Sequence, residues 1–119
     1  MSETYQGSCH CGAIAFSYEG EKIEKGLRCN CSICSRKGAM MSTEVIPEEK
    51  LHIKADKEAL GLYKFGRKTA KHFFCYRCGI YPFHETARAP GYYRVNLGCI
   101  EGIDTLALQA DMFDGKHKL

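Results

Sequence analysis

Eight cysteines, at positions 9, 11, 29, 31, 34, 75, 78 and 99, constrain this 119-residue chain more than any other feature. Seven of them fall into close groups, so a fold must bring thiols together locally and then decide which groups meet. Their redox state sets the chemistry. The N-terminus, "MSETYQGSCHCG", has neither a basic segment nor an apolar core of the secretory kind, and no stretch approaches the ~18 consecutive apolar residues of a membrane span. The expected location is therefore the cytoplasm, without membrane attachment. Structural disulfides are rare there, and grouped thiols read first as metal ligands. The same pattern in a secreted chain would read as a disulfide framework.

Cys75-Tyr76-Arg77-Cys78-Gly79 is a C-x-x-C turn followed by glycine. In such a turn two thiolates converge on one metal while backbone N–H groups point at the sulfurs. Cys9-His10-Cys11 is C-x-C; in an extended segment residues i and i+2 share a face, so both thiols can approach one ion and His10 points away. Together Cys9, Cys11, Cys75 and Cys78 supply the four ligands of a closed, structural zinc site. Such a site ties the N-terminal segment to a hairpin more than sixty residues later.

"RCNCSIC" at 28–34 adds C-x-C-x-x-C. Cys29, Cys31 and Cys34 can offer three thiolates to one metal and leave the fourth position to water, substrate or a distant ligand, the pattern of catalytic zinc. Two zinc ions per chain are expected. Iron is compatible with thiolates, although the split spacing is unlike ferredoxin runs. Cys99 has three readings: a buried core thiol in phase with Tyr93, Val95 and Leu97; the ligand that closes the second site; or a redox-active group. His10, His52, His72, His84 and His117 lack the paired spacing of a zinc finger and read as surface or satisfied histidines.

Short β-rich stretches recur between turn signals, at 13–20, 41–46, 51–55, 60–65, 70–75, 92–100 and 105–113. Ile14, Phe16 and Tyr18 share one face of the first of these. Helix is confined to about one turn in "SRKGAMM" and in "PEEKL", where Pro47 suits a first helical position. The pattern predicts a mainly β sandwich or open barrel of short antiparallel strands in a single domain spanning 1–119. The formal charge of +3 is too mild to point to nucleic acid. Thiolate sites lower it further, since four-thiolate and three-thiolate zinc centres bring a total of about −3.

The ordered set Gly7-x-Cys9-x-Cys11-Gly12, Cys29-x-Cys31-Ser32-x-Cys34, Phe74-Cys75-x-x-Cys78-Gly79 with Pro82-Phe83, and "VNLGCIEG" at 95–102 resembles the glutathione-dependent formaldehyde-activating enzyme family, which also includes centromere protein V. The resemblance runs from about Tyr5 to Phe113. It implies an Mss4-like zinc-binding β fold, shared with small zinc-binding chaperones of GTPases. It also implies structural zinc at Cys9, Cys11, Cys75 and Cys78, and catalytic zinc at Cys29, Cys31 and Cys34. The implied activity is that of a carbon–sulfur lyase which adds glutathione, as co-substrate, to formaldehyde. Where this chain has Cys99, the family often has Ser or Thr.

The partners expected are thus a small thiol and a small carbonyl compound. For the anionic groups of such a thiol, Arg36 is the first candidate contact, with Lys37 and Arg28 nearby. The alternative is a zinc-stabilised binding module without turnover, its surface formed by Lys64, Arg67, Lys68 and Lys71 among aromatic residues.

Overall fold

The computed structural model describes residues 2–65 and 70–118. In chain order its elements are β1 (Ser2–Ser8), β2 (Ile14–Glu21), β3 (Lys25–Cys29), α1 (Ser32–Lys37), β4 (Met41–Ser42), β5 (Ile46–Pro47), β6 (His52–Ala55), β7 (Leu60–Tyr63), β8 (Lys71–Cys75), β9 (Phe83–Glu85), β10 (Tyr92–Val95), β11 (Gln109–Phe113) and α2 (Gly115–Lys118). They form three small sheets, ordered β1-β2-β6, β5-β10-β9-β8-β7 and β11-β3-β4, and no barrel closes. The class is mainly β, as expected. Among the described residues every strand pairing is antiparallel except that of β11 with β3, which runs parallel and corrects the all-antiparallel expectation.

Alternation places the core. On β2, Ile14, Phe16 and Tyr18 point inward and are almost fully buried, while the residues between them are half-buried or exposed. Removing a side chain such as Phe16 or Ile14 from water contributes about 1.5–3 kcal/mol. Phe83 from β9 is completely buried and meets Phe16 edge-on at 6.0 Å and Phe73 of β8 at 5.4 Å, joining the first sheet to the second. Two single bridges, Gly7 with Ile100 and Met41 with Asn96, tie the remaining sheet edges together.

Three strands lacked a sequence signal. β1 is mostly exposed and shows no apolar alternation; β9 has only three residues; β3, "KGLRC", contains Gly26, packed so closely on Met40 that a Cβ would lie 2.1 Å from its Cγ. The stretches 41–46, 92–100 and 105–113 are each shorter or broken strands. After β10, the Asn96 side chain accepts from the Gly98 N–H at 2.9 Å and starts a 3₁₀ turn at Leu97–Cys99, so the period-two phase ends at Val95. Asp104 does the same for a turn at Thr105–Ala107, accepting from Leu106 N–H at 3.0 Å.

"PEEKL" does make a single turn, Glu48–Lys50. The other short helix begins earlier than expected, at Ser32, and ends before Gly38, whose N–H bonds the Cys34 carbonyl at 3.1 Å. Met40 and Met41 lie beyond it, Met41 in β4. Among the described residues no helix is long and apolar enough to cross a membrane.

Candidate active site and metal centres

The two terminal-most cysteine pairs sit in two hairpin turns of similar construction. At the β1–β2 turn, Cys9 N–H bonds Ile14 O at 2.9 Å and Gly12 N–H bonds Cys9 O at 3.2 Å. After β8, Cys75 N–H bonds Ile80 O at 2.9 Å and Gly79 N–H bonds Cys75 O at 2.8 Å. Gly12 and Gly79 have φ of 83° and 79°, a left-handed backbone that glycine adopts without penalty. Cys9-x-Cys11 therefore converges through a turn and not, as expected, through an extended strand. His10, in that turn, is exposed and belongs to neither thiol group.

The sulfurs of Cys9, Cys11, Cys75 and Cys78 all lie within 4.8 Å of one another. Cys9 to Cys11 is 3.7 Å and Cys11 to Cys75 is 3.6 Å. A tetrahedron with metal–sulfur bonds of ~2.3 Å has edges of ~3.8 Å, so the four thiols fit a zinc ion. Amides already serve the sulfurs: Ile14 N–H reaches Cys9 Sγ and Arg77 N–H reaches Cys75 Sγ, each at 3.3 Å. Burial works to raise the Cys78 thiol, but N–H groups of Ile80 and Cys11 and the thiols of Cys75 and Cys9 outweigh it and bring it down to about 6. Cys75 is lowered too, whereas the neighbouring thiols push Cys11 up to about 11, so thiolate character is concentrated in the C-x-x-C turn.

The second group is local. β3 ends at Cys29, Cys31 is the residue preceding α1, and Cys34 falls in the first turn of that helix. Their sulfurs also lie within 4.8 Å of one another. The Cys31 N–H bonds Cys29 Sγ at 3.4 Å. At Cys31, burial opposes ionisation, yet the amides of Cys34 and Ile33 and the neighbouring thiols hold it below the ordinary thiol range. Burial pushes Cys34 the other way, up to about 12, against the pull of Lys37. Among the described residues no fourth His, Cys, Asp or Glu atom joins this group, and three thiolates suit a metal with one open position.

Cys99 does not close that group. It sits in the 3₁₀ turn after β10, where Cys9 and Cys78 are the thiols that act on it, and burial raises it to about 11. It packs against the hydrophobic core, in line with the core reading.

A cavity of about 540 Å³ opens on the three cysteines. Its wall carries Lys37 from α1, His72 from β8, His84 from β9, Arg94 from β10 and the exposed Arg88, with Phe65 and Phe113 as apolar sides. No Asp or Glu lines it among the described residues. The expected anion contact, Arg36, is exposed on the far side of α1, where its Nη1 bonds Ser32 O at 2.8 Å, and it does not line the cavity. Its neighbour Lys37 does. The Lys37 Nζ lies 4.0 Å from the centre of the Tyr81 ring and has no oxygen or nitrogen partner among the described residues; burial lowers its pKa, while the charges of Cys34 and Cys31, a hydrogen bond to the Cys34 thiol and the charge of Cys29 oppose the shift.

Around Tyr81 the histidines complete a polar cluster. His72 Nδ1 is 2.6 Å from the Tyr81 hydroxyl, and the rings of His72 and His84 are 5.8 Å apart. Burial, reinforced by Lys37, depresses His72 to about 4 and His84 well below its usual value, so both are neutral near pH 7. The buried His84 Nδ1 has no hydrogen-bond partner among the described residues. Arg94 Nη1 donates to Ser42 O at 2.7 Å and Thr43 O at 2.8 Å, with no carboxylate paired to it among the described residues.

Sequence reasoning missed Lys37, His72, His84 and Arg94 as parts of one site. The available signal was hairpin register: counted outward from the C-x-x-C-G turn, His72 and His84 become direct cross-strand partners. Of the basic surface expected for a binding module, Lys64 and Lys71 are described and lie at the ends of β7 and β8, whereas Arg67 and Lys68 fall outside the described residues. Lys71 is engaged with Glu85 at 3.6 Å.

A crystal structure of a Rhodobacter sphaeroides protein is similar to this chain, with 36% sequence identity and a TM-score of 0.79 over 91% of this chain and 99% of that one. The model of the family described as glutathione-dependent formaldehyde-activating enzyme matches residues 4–116, a span that holds both thiol groups and the whole cavity wall. This chain belongs to the glutathione-dependent formaldehyde-activating enzyme family.

Proposed function

We propose that residues 1–119 form one zinc-dependent domain of the carbon–sulfur lyase type, working in the cytoplasm, that adds a thiol such as glutathione to formaldehyde or another small carbonyl compound. The observation that carries this reading is the three-thiol group at Cys29, Cys31 and Cys34, which faces a 540 Å³ cavity and has no fourth ligand among the described residues. Cys9, Cys11, Cys75 and Cys78 take the structural role, holding two hairpins together at a distance from that cavity's wall.

A zinc ion held by the three cysteines supplies an open position and the positive charge that keeps a thiol ionised near neutral pH. The chain's own residues do the rest. Against burial, the amides of Cys34 and Ile33 and the neighbouring thiols favour the thiolate form of Cys31. Phe65, Phe113, Leu27 and Met41 give the cavity its apolar sides. Lys37, Arg88 and Arg94 give it a positive potential without an acidic counterweight among the described residues, suited to an anionic thiol. In the net reaction one C–S bond forms, the carbonyl π pair moves to oxygen, and the proton lost from sulfur ends on that oxygen. No oxidant is needed.

The test is exchange NMR on glutathione and formaldehyde in the presence of zinc-loaded protein. Accelerated interconversion with S-hydroxymethylglutathione is expected, and Cys31→Ser should return it to the buffer rate. Wild-type protein carrying two zinc ions yet leaving the exchange at the buffer rate would overturn the reading for this carbonyl.

A further inference from the structure

The cavity has two chemically different ends. One is the thiol group, soft and anionic. The other is built from two buried nitrogens that have no oxygen or nitrogen partner among the described residues, the Lys37 Nζ, set between the Cys34 thiol and the Tyr81 ring, and the His84 Nδ1, with His72 behind them. An ammonium taken out of water with only a thiol and a ring face beside it, next to an imidazole nitrogen with no partner, is a costly arrangement, of the kind a protein keeps for a ligand. Their common complement is an oxygen that carries negative charge.

Geometry locates that oxygen. When sulfur adds to a carbonyl carbon, the oxygen that receives the electron pair is only two bonds from the sulfur, so whatever holds it must border the sulfur site. Lys37 does. It lies one helical turn after Cys34, and the thiols that act on its ammonium are Cys34, Cys31 and Cys29 in that order. Arg94 and Arg88 also line the cavity, but Arg94 is anchored on the carbonyls of Ser42 and Thr43, and the exposed Arg88 is held over the Phe113 ring at 5.1 Å.

We propose that Lys37, with His84 beside it, is the oxygen-holding end of the site: it receives the developing alkoxide of the carbonyl substrate, or a carboxylate in its place, while sulfur lies at the three cysteines. This rests on the open-site reading of Cys29, Cys31 and Cys34. In the addition step, sulfur contributes the electron pair of the new C–S bond, and the carbonyl π pair becomes the alkoxide held by the Lys37 ammonium. The proton given up by the thiol then completes the hydroxyl. A consequence for specificity is that small thiols with a carboxylate close to sulfur bind this site tightly and compete with carbonyl addition.

The assay uses cobalt(II)-loaded protein and follows the change in its thiolate charge-transfer absorption as mercaptoacetate or 2-mercaptoethanol is added. The two probes share a sulfur–carbon–carbon–oxygen skeleton and differ in charge. Wild-type protein should prefer mercaptoacetate by about ten- to a hundredfold, the worth of a hydrogen bond to a charged group. Lys37→Met should abolish that preference and leave the 2-mercaptoethanol affinity in place; Lys37→Arg should retain most of it. Lys37→Gln repeats the measurement with a polar side chain if the Met variant folds poorly. His84→Gln should erode the preference in part.

An unchanged ratio in Lys37→Met and Lys37→Gln would overturn the proposal. So would an equal loss for both thiols, which would show that Lys37 only balances thiolate charge. If neither thiol perturbs the wild-type spectrum, the open-site reading itself fails, and the role of Lys37 with it.

Discussion

Replacing Cys11 by Ser tests whether the four-thiol group holds the fold together. Cys11 and Cys75 are 64 residues apart in sequence, and their sulfurs are 3.6 Å apart in space. A cross-link that closes a loop of that length removes about 4 kcal/mol of chain entropy from the unfolded state. Cys9 still reaches the metal in Cys11→Ser, so that cost arises as the weakened three-thiol remnant gives up its ion, and the metal's full contribution, ~10–16 kcal/mol in small zinc peptides, exceeds it. Cys29, Cys31 and Cys34, by contrast, close only a local loop, so Cys31→Ser releases no long-range tether and should cost about 1 kcal/mol or less.

Thermal unfolding of both variants in zinc-containing buffer, followed by circular dichroism, reads the difference. Cys11→Ser should melt about 15 °C below Cys31→Ser for a chain of this size. A chelator strong enough to empty the four-thiol group should abolish the cooperative transition, because a domain's whole net stability is only ~5–15 kcal/mol. Equal melting temperatures for the two variants, or a transition that survives complete metal removal, would refute the reasoning.

Three further outcomes follow from the packing. Gly26→Ala places a methyl 2.1 Å from Met40 Cγ and 3.1 Å from Leu97 Cδ1, and should cost about 1–3 kcal/mol in urea unfolding, eased only as far as Met40 can move. Asn96→Ala removes both the bond to Tyr81 O at 2.8 Å and the cap on Gly98 N–H, and should destabilise by about 1–3 kcal/mol by the same measurement. His72, lowered to about 4 by burial and then by Lys37, binds its proton less readily folded than unfolded. Its contribution is thus complete above about pH 6.5 and is lost as pH falls towards 4. Between pH 7 and 5.5 the wild type should lose about 1 kcal/mol more than His72→Gln, and equal losses would contradict the assignment.

The cysteine groups were legible because ligand spacing is a local property, and local spacing survives whatever the rest of the chain does. Ile14, Phe16 and Tyr18 were legible for a related reason: β2 has one dry face and one wet face, and alternation reports that directly. The cavity was not legible. Lys37, His72, His84 and Arg94 come from four separate elements, and no single stretch shows that β8 and β9 place their histidines side by side. Arg36 and Lys37 are adjacent in sequence, and only the rotation of α1 decides that Lys37 enters the cavity while Arg36 folds back on Ser32. β1 escaped notice because an exposed strand pairs through its backbone, which leaves no trace in side-chain pattern.

The parallel pairing of β11 with β3 imposes an order of events on a chain that is synthesised from its N-terminus. Phe113 lies opposite Cys29 in that pairing and supplies a side of the cavity, and Asn30 bonds Asp114 at 2.9 Å just beyond it. All eight cysteines leave the ribosome before this wall exists. The thiols of Cys29, Cys31 and Cys34 thus pass through a stage in which they are open to metal ions and to oxidants alike, and the last strand to arrive ends that stage. A slow β11 lengthens the interval in which a wrong ion or a disulfide can occupy this group before its wall is built.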